Sequence, residues 1–175
     1  EIHEMNNFSS DGQRRQVTVL FAAMVDFTPP SEKLGEEAIY TLMRRVIAEM
    51  SEAVTNNNGS VQNLTGDGMM ALFGAPVAIE DAPLRACQAA LDIQTGMQAL
   101  ENELEARYGV RPKFRIGLNT GPIVIGRMGD DDKAEITALG DTVNLAARLE
   151  GEAESGGIVL SQATHQLVDG YADSS

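Results

Sequence analysis

Apolar residues follow two different spacings along this chain, and the two spacings predict strands and helices in turn. From Gln16 to Val25 the residues are β-branched and apolar on both faces, which indicates a central strand covered on both sides. Pro29-Pro30-Ser31 ends that strand. A helical stripe follows, and it ends at Asn56-Asn57-Asn58-Gly59. Its apolar residues recur at i, i+3 and i+4 spacing: Ile39, Leu42, Met43, Val46, Ile47 and Met50.

The middle of the chain reads as a hairpin and a long helix. Two short strands, 60–65 and 69–73, flank Gly66-Asp67-Gly68, whose residues favour a turn. Asp81-Ala82-Pro83 is typical of a helix start, and the helix ends near Tyr108-Gly109. The later predicted elements are a strand pair at 114–120 and 123–126 around Gly121-Pro122, a strand at 136–139, a helix at 141–152, a strand at 157–160 and a helix at 161–168.

This order of elements predicts the fold class. Strand, helix, hairpin, helix and strands match a split β-α-β unit of the ferredoxin-like kind. We therefore expect an α+β fold with a mostly antiparallel sheet and helices packed on one of its faces. Residues 1–14 are polar and lack periodicity, so they read as a flexible leader to one domain at 15–175.

Composition narrows the function classes. The formal net charge of −13 argues against nucleic acid or an anionic membrane as a partner. No apolar run approaches the roughly 20 residues that a membrane span needs. The single Cys87 rules out an internal disulfide and favours a reducing, cytoplasmic setting. Because Cys87 falls in an apolar helical pattern, it reads as a core thiol and not as a nucleophile.

Two polar groups are candidates for chemistry. Gly66-Asp67-Gly68 alone is usually only a turn, but a carboxylate at a hairpin tip can also hold Mg²⁺. Asn144 and Arg148 are four residues apart in the predicted helix 141–152, so they share one face. By itself, a polar pair at this spacing more often belongs to a solvent-exposed helix face than to a binding or catalytic site.

Three stretches together resemble the catalytic domain of class III nucleotide cyclases: Phe21-Ala22-Ala23-Met24-Val25-Asp26-Phe27-Thr28, Leu64-Thr65-Gly66-Asp67-Gly68, and Gly140-Asp141-Thr142-Val143-Asn144-Leu145-Ala146-Ala147-Arg148. The resemblance implies that Asp67 binds metal, that Asn144 orients the ribose and that Arg148 stabilises charge on the transferring phosphate. It also implies Mg²⁺ or Mn²⁺ as cofactor, with two ions per site.

The first stretch departs from the family pattern. Ala23 stands where the family has a metal-binding aspartate, and its methyl group cannot ligate a cation. By the resemblance, Phe27 and Thr28 offer backbone N–H groups to the triphosphate and Met24 offers its carbonyl to a metal. Asp26 stands where glycine is usual, and it reads either as a helix-capping or loop carboxylate or as a replacement ligand.

The base-reading positions also depart from the pattern. Many adenylyl cyclases place Lys and Asp where this chain has Asn63 and Thr137. An amide can donate to adenine N1 or accept from N6, and it can also serve guanine. The bacterial character of the sequence favours ATP.

The family builds its site between two chains, with the metal ligands on one and the Asn and Arg on the other. A single domain therefore predicts a homodimer with two equivalent sites. Residues 126–137 include the arm expected to reach the partner, and the acidic run 130–132 reads as part of that solvated loop. The family's C-terminal lysine is expected beyond Ser175, and further domains are expected in the full-length protein.

The sequence supports one leading function and two alternatives. The leading one is conversion of ATP to 3′,5′-cyclic AMP and pyrophosphate in signal transduction, with activity impaired by Ala23. The first alternative is a catalytically silent module that binds nucleotide or dimerises. The second is a guanylyl cyclase, which depends on Asn63.

Overall fold

A computed structural model of the chain describes residues 12–25, 35–65, 67–127, 134–137 and 140–173. Within them the strands are β1 (Gly12–Val25), β2 (Ser60–Leu64), β3 (Gly68–Phe73), β4 (Lys113–Arg127), β5 (Ala134–Thr137) and β6 (Ile158–Leu160). The helices are α1 (Glu36–Asn56), α2 (Ala82–Tyr108), α3 (Asp141–Glu152) and α4 (Gln162–Asp173).

The strands form one mixed sheet. Its order is β2-β3-β1-β4-β5, and the short β6 also pairs with β4. All pairs are antiparallel except β4 with β6, which is parallel. The predicted α+β class with a mostly antiparallel sheet is confirmed.

The core lies on both faces of this sheet. On one face, Leu20 and Ala22 of β1 pack with the apolar stripes of α1 and α2, such as Val46 and Ile93. On the other face, Val17 and Val19 pack in a second cluster that includes Ala146 of α3. The expectation that all helices lie on one face is therefore wrong, because α3 covers the opposite face.

Glycines in β4 explain why α3 lies there. A Cβ on Gly117 would stand 2.3 Å from the backbone nitrogen of Glu150 and 2.6 Å from the carbonyl oxygen of Ala146. A Cβ on Gly121 would stand 2.7 Å from Oγ1 of Thr142. The helix therefore rests directly on the strand backbone, an approach that only glycine permits.

Strand β4 also differs from the sequence prediction. The predicted pair of strands around Gly121-Pro122 is one continuous strand, Lys113–Arg127. Gly121 and Pro122 pair with Val17 and Gln16 of β1. On the other edge of β4, β5 pairs only with residues 124–127 and β6 only with 116–118, so neither β5 nor β6 needs the N–H that Pro122 lacks.

The bounds of two other strands differ from the predicted ones. Strand β1 begins at Gly12, inside the predicted leader, and Gln13 and Arg14 pair with β4. Strand β5 spans Ala134–Thr137, earlier than the predicted 136–139. The predicted helices at 141–152 and after Asp81 begin where expected.

The close approach of α3 to β4 leads to a stability prediction. We expect Gly117→Ala to destabilise the domain by roughly 1–3 kcal/mol, because the new methyl group meets helix backbone and not a flexible side chain. The measurement is urea denaturation followed by circular dichroism.

Gly151 provides the matched control, because it lies in α3 with no atom within 4 Å of a built Cβ. Gly151→Ala should stabilise the domain by roughly 0.5–1 kcal/mol through helix propensity. Equal effects of the two substitutions would mean that α3 does not rest on Gly117.

Candidate active site

The hairpin between β2 and β3 is fixed against the end of β1. The backbone N–H of Met24 donates to the carbonyl of Asp67 over 2.7 Å. A Cβ on Gly68 would stand 2.2 Å from the carbonyl oxygen of Ala22, so glycine is required at that crossing. The hydroxyl of Thr65 donates to Oδ1 of Asp67 over 3.0 Å. Together these contacts hold an exposed carboxylate at the hairpin tip beside the last residues of β1.

Ala23 lies at the centre of this region. It pairs with Gly68 on β3 and with Arg115 on β4, so all three stand on the face of the sheet that α3 covers. A cavity of about 130 Å³ opens there, between Ala23 and Thr65 on the sheet side and Ala147 and Glu150 on α3.

Two charged side chains beside Ala23 influence each other. Burial raises the pKa of the Glu150 carboxyl above its usual 4.5, Arg115 opposes that shift, and the negative charge of Asp67 adds to it. The Nε atom of Arg115 is buried and has no hydrogen-bond partner in the part of the chain that the structure describes. An incompletely satisfied guanidinium therefore faces the position that Ala23 leaves small.

Asn144 and Arg148 lie where the sequence predicts, on consecutive turns of α3. Both side chains are exposed, whereas Ala147 and Glu150 on the same helix line the cavity. One chain therefore does not bring Asn144 and Arg148 into the cavity beside Asp67. They remain available at the surface.

The two candidate base-reading residues lie on different strands. A register shift between Val61 and Asn63 in β2 pairs Asn63 with Met70, which turns Asn63 to the cavity beside Ala23. Thr137 ends β5 and pairs with Val124. Because β2 and β5 are the two ends of the strand order, the topology does not make these residues neighbours within one chain.

Some sequence predictions fall outside the described residues: Phe27, Thr28, Asp26 and the acidic run 130–132. Met24 lies at the end of β1 and is buried. Cys87 is half-buried in α2, where burial raises its pKa to about 11. Its thiol is therefore protonated at neutral pH, which agrees with a packing role and not with a nucleophile.

Comparison with known proteins identifies the family. A family model for the adenylate and guanylate cyclase catalytic domain matches residues 10–174. The chain belongs to this family. Among curated proteins, "Adenylate cyclase 1" of Rhizobium meliloti is 33% identical over 138 residues, which are 79% of this chain and 21% of that protein. The terminal-differentiation-specific adenylate cyclase of Dictyostelium discoideum is 29% identical over 146 residues, which are 83% of this chain and 7% of that protein.

Solved cyclase domains have the same fold. The adenylyl cyclase CyaB from P. aeruginosa gives a TM-score of 0.81 at 31% identity, covering 91% of this chain and 83% of that one. The guanylyl cyclase Cya2 gives a TM-score of 0.80 at 29% identity, covering 90% of this chain and 80% of that one. Neighbours with either name fit about equally well, so overall shape does not distinguish ATP from GTP as substrate.

Among the described residues at the end of β1 and at the hairpin tip, the side chain that fits a divalent cation is that of Asp67. Asp67 offers an exposed carboxylate, and hard cations such as Mg²⁺ take one or two carboxylates plus phosphate oxygens. Ala23, beside it, offers no oxygen from its side chain. Among the described residues, no group of three or more His, Cys, Asp or Glu side chains could hold a metal. None of the described helices combines the length and apolar character needed to cross a membrane.

Sequence reasoning missed two residues of this site. Arg115 and Glu150 carry no motif that the sequence analysis used, yet register and packing put both next to Ala23. The signal for Arg115 was available in β4, where one charged residue interrupts the apolar run between Phe114 and Ile116. Alternation along a strand puts Arg115 on the same face as Gly117.

The position of Glu150 leads to a prediction about pH. Because the folded-state pKa is raised, the folded chain holds this proton to a higher pH than the unfolded chain does. The contribution of Glu150 to the free energy of unfolding is therefore fully present below pH 4.5. It is lost as the pH rises from 4.5 through the folded-state pKa. We expect Glu150→Gln to be more stable than the parent at pH 7, with the difference shrinking toward pH 4.5.

Thermal denaturation between pH 4 and pH 8 measures this difference. Glu152→Gln, which removes an exposed carboxylate from the same helix, should show no comparable trend. If Glu150→Gln is the less stable protein at pH 7, attraction to Arg115 outweighs burial and our assignment of the dominant cause is wrong.

Proposed function

We propose that this chain is the nucleotide-cyclising domain of a larger protein and converts ATP to 3′,5′-cyclic AMP and pyrophosphate. The observation that carries the proposal is the anchored hairpin tip, where Met24 N–H holds the carbonyl of Asp67 at 2.7 Å and leaves its carboxylate exposed. Family membership indicates the reaction class, and this anchored carboxylate is the group that would bind the metal ion.

In the proposed reaction the ribose 3′-oxygen attacks the α-phosphorus. A new oxygen–phosphorus bond forms, the bond to the bridging oxygen of pyrophosphate breaks, and the 3′-proton passes to solvent. Asp67 would hold one divalent cation, which supplies charge neutralisation to the phosphates when bound. Asn144 would orient the ribose through its amide, and the Arg148 fork would stabilise charge on the transferring phosphoryl group.

Arg115 contributes positive charge to an acidic protein. The chain carries a formal net charge of −13, so a triphosphate needs local cations in order to bind. The guanidinium of Arg115 lies opposite Ala23 and has a buried Nε without a partner among the described residues. We infer that it offsets part of the triphosphate charge.

A second copy of the chain is the proposed partner. The exposed Asn144 and Arg148 do not line the cavity beside Asp67 in one chain. A two-fold dimer would bring these two side chains of one copy to the Asp67 of the other and would create two equivalent sites. Since the chain spans 21% of one curated relative and 7% of another, further domains are also proposed. A cytoplasmic setting would provide ATP and keep Cys87 reduced.

Ala23 favours one alternative from another functional class. With no carboxylate at this position, the domain would be a silent module that dimerises or binds nucleotide and regulates an attached domain. Nucleotide binding without turnover would support this alternative.

Restoring the carboxylate tests the proposed enzyme. We expect Ala23→Asp to raise cyclic AMP formation from Mn²⁺·ATP by about 10²–10³-fold, the effect typical of a lost electrostatic group in an active site. The new carboxylate would face Arg115 across the strand pair and stand beside Asp67. The assay is the initial rate of cyclic AMP formation for both proteins side by side.

Ala23→Asn is the matched control, since the amide of Asn has nearly the same volume as the carboxylate of Asp but carries no charge. It should raise the rate far less than Ala23→Asp. Comparable turnover by the parent and Ala23→Asp would show that another group completes the site. Silence of both proteins would reject the enzyme proposal in favour of the silent module.

A guanylyl cyclase is the second alternative, and Asn63 is the observation that favours it. Its side chain faces the cavity, and an amide can pair with either purine.

Competition between ATP and GTP tests the purine preference. We expect ATP to be preferred in the Ala23→Asp protein, and Asn63→Ala to lower cyclic AMP formation by about tenfold, since a lost base contact is worth about 1–2 kcal/mol. Cyclic AMP and cyclic GMP are measured in one mixture of both nucleotides. Faster formation of cyclic GMP would overturn the choice of ATP.

A further inference from the structure

Asn119 is a buried amide beneath the helix that carries Asn144 and Arg148. It lies in β4, is 5% exposed, and its Nδ2 donates to the carbonyl oxygen of Thr142 over 2.9 Å. That carbonyl belongs to the first turn of α3. The sheet therefore holds the beginning of this helix through a side chain.

The surrounding contacts strengthen this attachment. The hydroxyl of Thr142 donates to the carbonyl of Pro122 over 2.8 Å. The absence of a side chain on Gly121 makes room for that hydroxyl. The N-cap residue Gly140 offers no side-chain hydrogen bond to the helix. The first turn of α3 is thus held by β4 and not by a capping residue of its own.

The next residue along β4 serves the other face of the sheet. Thr120 belongs to a chain of buried hydroxyl contacts that links β1 and β4 to α4: Thr18 to Thr120 at 2.9 Å, Thr120 to Thr164 at 2.8 Å and Thr164 to Ser161 at 2.9 Å. Adjacent side chains of one strand therefore attach α3 and α4 separately.

We propose that Asn119 is a positioning residue, which holds α3 at the height and rotation that Asn144 and Arg148 need to reach the nucleotide. The proposal rests on the proposed function. Asn119 itself is buried and does not line the cavity beside Ala23. Because Thr142 lies two residues before Asn144, a shift of the first turn moves both site residues, and small displacements of this kind reduce turnover strongly.

Hydrogen exchange tests the attachment without any need for activity. We expect Asn119→Ala to speed amide exchange by about tenfold in α3 peptides covering 142–150, since a helix carbonyl loses a buried donor. Exchange in α2 peptides covering 86–100 should stay unchanged.

Asn57→Ala is the matched control. Asn57 is 6% exposed, and its Nδ2 donates to the carbonyl of Ala53 over 2.7 Å, but it lies at the end of α1. Asn57→Ala should leave exchange in α3 unchanged. Thr120→Val, which removes the neighbouring hydroxyl, should affect α4 and not α3.

Kinetics in the Ala23→Asp protein test the consequence for the site. Adding Asn119→Ala should lower kcat about tenfold and change KM for ATP by less than roughly threefold, because the misplaced groups act mainly on the transition state. Asn119→His, whose Nδ1–H can replace the amide donor, should recover most of the loss. Asn57→Ala should leave kcat unchanged.

The two experiments separate the inference from the function on which it rests. Unchanged α3 exchange in Asn119→Ala overturns the positioning role, and so does an equal loss of kcat in Asn57→Ala. Faster α3 exchange together with no turnover in any Ala23→Asp protein would sustain the attachment of α3 by Asn119 and would reject the proposed enzyme instead.

Discussion

Helix α3 rests on the bare backbone of β4, and the candidate site depends on that contact. Gly117 and Gly121 place no side chains between helix and strand, so α3 packs directly on β4 at Thr142, Ala146 and Glu150. Hydrogen bonds from Asn119 and Thr142 then fix its first turn. Direct backbone packing allows little adjustment, because interiors are close-packed and tolerate small volume changes poorly. The same helix bears the exposed Asn144 and Arg148 and the cavity-lining Glu150.

The second determinant of the site is the balance of charge around Ala23. Asp67 and Glu150 bring negative charge, and Arg115 brings the opposing positive charge on the neighbouring strand. Ala23 brings no charge to this set and lines a cavity of about 130 Å³. The buried Nε of Arg115 has no hydrogen-bond partner among the described residues. The architecture of a cyclase domain is therefore present around a position whose methyl side chain offers no metal ligand.

Periodicity predicted most elements because each depends on local contacts. The apolar stripe of α1 and the turn at Asp67 are visible within short windows of sequence. The continuity of β4 was missed, since Gly121-Pro122 resembles a turn until the pairing of both residues with β1 is known. The face chosen by α3 was also missed, because Gly117 and Gly121 suggest close packing only once their helical partner is known.

The sequence by itself determined the family, the order of elements and the motif residues Asp67, Asn144 and Arg148, because these are properties of consecutive residues. Only the tertiary structure decided that Arg115 and Glu150 join Ala23, and that Asn119 holds α3. Residues that are distant in sequence become neighbours through the register of the strands and the packing of a helix on the sheet. A register shift of one residue would move every side chain of a strand to the opposite face of the sheet. These contacts depend on how β1, β4 and α3 pack together, and no short stretch of the sequence shows that packing.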